Sequence, residues 1–212
     1  MANALWGFPF SETELGNGTF DELFGACERA FKHRLRTDAT RSVTGEYEKR
    51  SIPYLVNRSP NVADDSVRNE TQLHYLLKAF VIRSLVECGE CSLEEVATEG
   101  DTEIATATGG SLIPDVQAGR TVYEVETLYG TGEPLTKLKE TVERYHQSSE
   151  SPGINLVLTG LTAGLYAYEL RQLIRDIDAE YPALTVNILV PSLHDRTLVS
   201  FDEMDNNSTP RS

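Results

Sequence analysis

Apolar positions recur along this chain with two different periods, and the switches between them mark out its elements. Thr19-Phe-Asp-Glu22 is a capping box. Phe20, Leu23, Phe24, Cys27, Phe31 and Leu35 follow at helical spacing, which predicts a helix to about Leu35 with one buried face. Residues 37–64 are rich in Thr, Ser, Asn, Asp and Pro and read as a connecting segment with little regular structure. A stronger helix is expected from about Asp65 to Glu87, closed by Gly89. Its stripe takes in Val67, Leu73, Leu76, Leu77, Phe80, Val81 and Leu85, and Glu70 and His74 lie in line with it. A carboxylate so placed must be neutralised, hydrogen-bonded or coordinated.

The period then shortens. Extended segments are expected at Leu93–Thr98, Ser111–Val116 and Thr121–Leu128, the last two joined by a hairpin loop, Gln117-Ala-Gly-Arg120. A helix opening near Pro134 runs to His146, followed by a buried strand at Ile154–Thr159, a helix at Ala163–Glu180 and a strand at Leu184–Val190. Apolar strands joined through helices imply an α/β fold, a mixed central sheet flanked by helices with an N-terminal helical extension. The expected division is an extension at 1–64, a core at 65–204 and a disordered tail at 205–212.

Composition narrows the class. At 212 residues, 40% apolar and 25% charged, the chain suits one globular domain. No apolar run approaches the roughly 18 residues that span a bilayer, and the first residues lack the basic region and apolar stretch of a signal peptide. A cytoplasmic protein with no membrane partner is expected. The net charge is -14, and only five of the 19 basic residues are Lys. That balance suits a halophilic surface, where salt screens the mutual repulsion of carboxylates. Residues 28–58 run against it, with eight Lys or Arg to four Asp or Glu. Arg29, Lys32, Arg34 and Arg36 crowd the first helix there, either as a solvated face or as a patch that contacts phosphate. Cys88-Gly-Glu-Cys91 has the spacing of a metal or redox pair, but no second ligand pair accompanies it, so half-buried thiols at a helix end are expected.

The chemistry concentrates between Ile113 and Glu126. With Ala118-Gly119 as a two-residue turn, Gln117 pairs with Arg120, Asp115 with Val122 and Ile113 with Glu124. Side chains alternate along a strand, so Asp115, Glu124 and Glu126 project from one face. Tyr123 and Val125, on the other, pack against helices. Three carboxylates with no interleaved cation repel one another, and a hard divalent ion such as Mg²⁺ or Mn²⁺ relieves this with oxygen ligands. The competing reading is an exposed acidic strand in an acidic protein.

Pro114-Asp115, then Glu124-Val125-Glu126 on the next strand, preceded by a helix bearing Glu70 and followed by a helix and a strand, resembles the PD-(D/E)XK nuclease superfamily. The resemblance covers about residues 65–190 and implies a restriction endonuclease-like core. It further implies metal-dependent hydrolysis of phosphodiesters, with DNA the expected substrate and Mg²⁺ or Mn²⁺ the cofactor. Asp115 and Glu124 would hold the metal, with Glu70 binding directly or through water, and Glu126 would share that ion or complete a second site. The family pattern ends in Lys, where this chain has Glu126. Some restriction enzymes of the superfamily carry Glu there, and other members place the Lys on the following helix. Here that helix holds Lys137 and Lys139. Lys139 lies beside the stripe through Leu135 and Val142, whereas Lys137 points roughly 200° from Leu135, so Lys139 is the candidate. Tyr145 falls at the Tyr of the QxxxY motif of one subgroup, with Thr141 at the Gln position. The alternative, favoured by the missing Lys, is a nuclease-fold protein without catalysis that serves as a DNA-binding or assembly subunit. A homodimer is compatible with either.

Overall fold

The segments that are apolar on both faces form the middle of the sheet, and the alternating ones form its margin. A computed structural model of the chain describes residues 26, 29–37, 72–98, 104–106, 111–127, 134–148 and 152–202. Glu70, the capping box at Thr19, the connecting segment beyond Thr37 and the tail from 205 lie outside the described residues. The described elements are helix α1 (Gln72–Glu87), strands β1 (Val96–Thr98), β2 (Ile104–Ala105), β3 (Ser111–Leu112), β4 (Val116–Ala118) and β5 (Thr121–Glu126), helix α2 (Pro134–His146), strand β6 (Gly153–Leu158), helices α3 (Gly160–Leu165) and α4 (Ala167–Glu180), and strands β7 (Val186–Ser192) and β8 (Thr197–Ser200). A further helical stretch covers residues 29–37.

The six-stranded sheet has the order β1-β4-β5-β6-β7-β8, and β2 and β3 form a separate pair. β1, β4 and β5 are antiparallel neighbours, β6 and β7 continue parallel to β5, and β8 returns antiparallel. The fold is therefore mixed α/β with helices on both sides of one sheet. β6 is its spine: Ile154, Leu156 and Leu158 enter one core and Val157 the other. A strand covered on both faces needs such an unbroken apolar run.

Every residue from Leu76 to Leu85 of α1 is buried. An apolar surface all round the helix makes it an interior element. It packs on Val116, Tyr123, Val125 and Val157 and shares that core with Phe31 and Leu35 of the 29–37 helix. The helix ends where Gly89 takes φ 72°, a left-handed conformation that glycine adopts without strain. The N–H of Glu90 then reaches back to the Leu85 carbonyl at 3.0 Å. On the opposite face Leu138, Val142 and Tyr145 of α2 and Leu170, Leu173 and Ile177 of α4 cover Val122, Ile154, Leu156 and Ile188.

Four differences from the sequence pattern have local causes. Leu93–Glu95 forms a 3₁₀ turn, capped by Ser92 and Glu95, before β1 begins at Val96. The expected strand Ser111–Val116 is cut in two: Pro114 has no N–H for a ladder, and Asp115 sits in a bend between β3 and β4. The expected helix at Ala163–Glu180 is two helices meeting at Tyr166, whose φ of -107° and ψ of 24° interrupt the run. β2 and β8, of two and four residues, are too short to leave a period in the sequence. Among the described residues no helix is long and apolar enough to cross a membrane.

Candidate functional site

The β4–β5 hairpin sets the geometry. Its turn is Gly119-Arg120, one residue later than expected, with Gly119 at φ 57°, the first turn position where a hairpin favours glycine. Gln117 therefore pairs with Val122 and Val116 with Tyr123. Moving the turn by one residue slides the pairing by two, so side chains keep their faces. Continued one step past β4, this register puts Asp115 opposite Glu124, nearer than the expected pairing with Val122.

Asp115 departs from the expected arrangement in one respect. Glu124 and Glu126 point towards α2, but Asp115 turns along the end of the strand towards α1. Its bend frees it from the alternation that a ladder imposes. Oδ2 accepts the backbone N–H of Val125 at 2.8 Å and lies 3.1 Å from Nε2 of His74. Burial disfavours its charge, but the hydrogen bond from His74, the charges of His74 and Lys78 and the Val125 N–H together hold its pKa below the ordinary value. Lys78, one turn beyond His74 on α1, is fully buried. The sequence marks it only as a lysine within the apolar run LLKAFVI.

Glu124 and Glu126 are engaged from above by α2. The Tyr145 hydroxyl donates a hydrogen bond to Oε1 of Glu124. Lys137 Nζ reaches Oε2 of Glu126 at 2.7 Å, and the Thr141 hydroxyl lies 3.4 Å from Oε1. Glu126 is only 5% exposed, so this ion pair compensates a buried charge. Burial, then the neighbouring charges of Asp115 and Glu126, drive the Glu124 carboxyl up to about 8, against the lowering effects of Tyr145 and Arg144. Tyr145 is pushed up in turn by burial and by Glu124. At neutral pH the Glu124–Tyr145 pair retains a proton that a solvated carboxylate would have lost.

Two expectations are corrected. Lys139 is not the lysine of the site: its Nζ lies 3.1 Å from Glu180 and 3.8 Å from Glu143 on the surface. The fully buried stripe of α2 runs through Leu138, Val142 and Tyr145, with Leu135 only partly buried against the same core, and Lys137 reaches Glu126 at the strand end while Lys139 reaches Glu180 of α4. The three carboxylates are also held differently: Asp115 bonds to His74 of α1 and to the Val125 N–H, whereas Glu124 and Glu126 bond to side chains of α2. Arg29, Lys32 and Arg36 are exposed and Arg34 is half-buried, on a helix that belongs to the core on the α1 side. Cys88 and Cys91 follow α1 as free thiols, Cys88 exposed, with burial raising the Cys91 pKa.

The oxygen donors suit a hard divalent ion in kind. Both bonds of Asp115 are taken on Oδ2, which leaves Oδ1 for another partner, and Glu124 carries a proton that a metal would displace. In number the site is incomplete: among the described residues no three His, Cys, Asp or Glu side chains group as a metal seat. No family model, curated protein or solved structure matches the chain.

Proposed function

We propose that this protein is a metal-dependent nuclease of the PD-(D/E)XK type, hydrolysing phosphodiester bonds in DNA. The observation that carries this is the placement of Asp115 against Glu124 at one end of adjacent antiparallel strands, with Glu126 two residues on. The succession of helix, three antiparallel strands, helix and parallel strand, α1-β1-β4-β5-α2-β6, supports it. So does the electrostatic crowding of Glu124, which a bound cation relieves. Asp115 through Oδ1 and Glu124 would hold Mg²⁺ or Mn²⁺. The ion would supply a water activated near neutral pH and offset the charge that develops on the phosphoryl oxygens.

The chain's own residues divide the remaining work. His74 and the Val125 N–H fix Asp115 in rotamer and in charge. Tyr145 donates its hydroxyl to Glu124 and orients it. Lys137 stands where the family's motif Lys is missing, its ammonium beside Glu126 and half-exposed. It is placed to meet a phosphate oxygen or a water at the strand end.

A second reading has an observation in its favour: each of the three carboxylates already has a protein partner. A nuclease-fold protein that binds DNA or assembles without cutting would need nothing more. Cleavage of single-stranded, duplex and branched DNA with Mg²⁺ or Mn²⁺ at high salt separates the two. Nuclease function predicts metal-dependent cutting by the wild type that is lost in Asp115→Ala and Glu124→Ala. Cutting that persists in both variants removes the site assignment, and wild-type binding without cutting favours the second reading.

A further inference from the structure

Glu124 and Glu126 face α2, and the inner edge of α2 carries two cations. Lys137 contacts Glu126, and Arg144 donates through one Nη to the Thr141 hydroxyl at 3.0 Å. Seven residues separate them, nearly two helical turns, so both lie on the same side of α2 with Thr141 between them, about 10.5 Å apart along the axis. They line a cleft of about 480 Å³ whose other residues are Thr141, Glu140, Glu143 and Gln147. The described contacts engage one of the five N–H donors of Arg144, which is exposed. Glu140 and Glu143 line the same cleft, and Lys139 lies 3.8 Å from Glu143. Two cations at this separation call for a ligand with negative charge in at least two places. A chain of phosphodiesters meets that requirement and a single phosphate does not. The helix at 29–37, whose cations the sequence left as either a solvated face or a phosphate-contacting patch, packs on the α1 side, in a different core from the α2 residues that meet Glu124 and Glu126.

We propose that α2 is a backbone track for nucleic acid, with Lys137 at the phosphate nearest Glu126 and Arg144 anchoring a neighbouring phosphate along the same strand. This rests on the nuclease reading and adds to it the path of the substrate. Arg144 is the residue to test, since Lys137 belongs to the site itself. Anisotropy of a labelled single-stranded oligodeoxynucleotide, in EDTA over about 50–200 mM salt, reads binding apart from cleavage. Each phosphate contact to a single strand contributes about 0.7 to the slope of log affinity against log salt. Arg144→Gln is expected to weaken binding by about 3–10-fold at the lowest salt and to flatten the slope by about 0.7. Arg144→Lys keeps most of the slope, and Lys139→Gln, on the flank of α2 that faces α4, stays within about twofold of wild type. Thermal midpoints of the three variants check the fold.

Wild-type affinity and slope in Arg144→Gln, or an equal loss in Lys139→Gln, overturns the track and leaves the nuclease reading standing. Wild-type binding that depends on Arg144, without cleavage in Mg²⁺, keeps the track and sinks the nuclease. A wild type that binds no oligonucleotide even at the lowest salt overturns the track, and cleavage in Mg²⁺ then decides the nuclease reading by itself.

Discussion

Glu124→Gln should make this protein more stable in mildly alkaline solution, although it alters a residue at the centre of the site. The folded chain holds the Glu124 carboxyl at about 8 against an ordinary 4.5. Between these values the native state keeps a proton that the unfolded chain releases. Stability is therefore fully present below about 4.5 and falls as pH rises towards 8, by up to about 1.4 kcal/mol per pH unit. Glutamine keeps an oxygen to accept the Tyr145 hydroxyl and removes the charge. Partial exposure of the carboxyl trims the full linkage value, so the variant should gain roughly 2–4 kcal/mol over wild type at pH 8 and differ by less than about 1 kcal/mol at pH 5. Urea unfolding at pH 5, 6, 7 and 8 measures this, at one ionic strength because a chain of charge -14 is itself sensitive to salt. A stability gap that stays constant with pH, or a variant weaker than wild type at pH 8, would refute the assignment of the proton to Glu124. Magnesium added at pH 8 should stabilise the wild type and leave Glu124→Gln unchanged, since only the wild type has the charge to exchange for the ion.

Three other substitutions probe the supports of the site. Lys137→Met strips the partner from the buried Glu126 carboxylate and should cost about 2–4 kcal/mol, whereas Lys139→Met breaks only exposed pairs and should cost less than about 0.5 kcal/mol, both read by chemical denaturation. Asp115→Ala removes the acceptor of the Val125 N–H and one partner of His74, and should lower stability by about 1–3 kcal/mol when unfolded in urea without metal. Gly119→Ala meets nothing within 4 Å of the added Cβ, so its expected cost of about 1 kcal/mol is the left-handed turn alone, measurable as a drop in thermal midpoint.

The helices and central strands were legible because each needs a pattern that survives without its neighbours. Leu138, Val142 and Tyr145 mark the inner face of α2, and the run INLVL could only be a strand covered on both sides. The side-chain face of the hairpin carboxylates was partly legible: an error of one residue in the turn left Glu124 and Glu126 on their predicted face, because the register moved by two. Asp115 was harder to place, since Pro114 takes it off the ladder and the end of α1 then decides where it points. The choice between Lys137 and Lys139 turned on which residue begins the stripe, and Leu135, half-buried at the first turn, was a poor origin. Lys78 and Arg144 left weaker signals. A lysine inside an apolar run and an arginine beside Tyr145 gain meaning only when α1 and α2 close on opposite sides of the same strand end.

The central claim is that Asp115 and Glu124 together seat one divalent ion. Titration of Mn²⁺ into the wild type, Asp115→Asn and Glu124→Gln at pH 8 and high salt, followed by the loss of the free-ion electron paramagnetic resonance signal, tests it without requiring turnover. The proposed site predicts one specific ion per wild-type chain and none in either variant, with only the weak binding common to any acidic surface left in all three. Equal specific binding in the wild type and both variants, or no specific ion in the wild type, would contradict it.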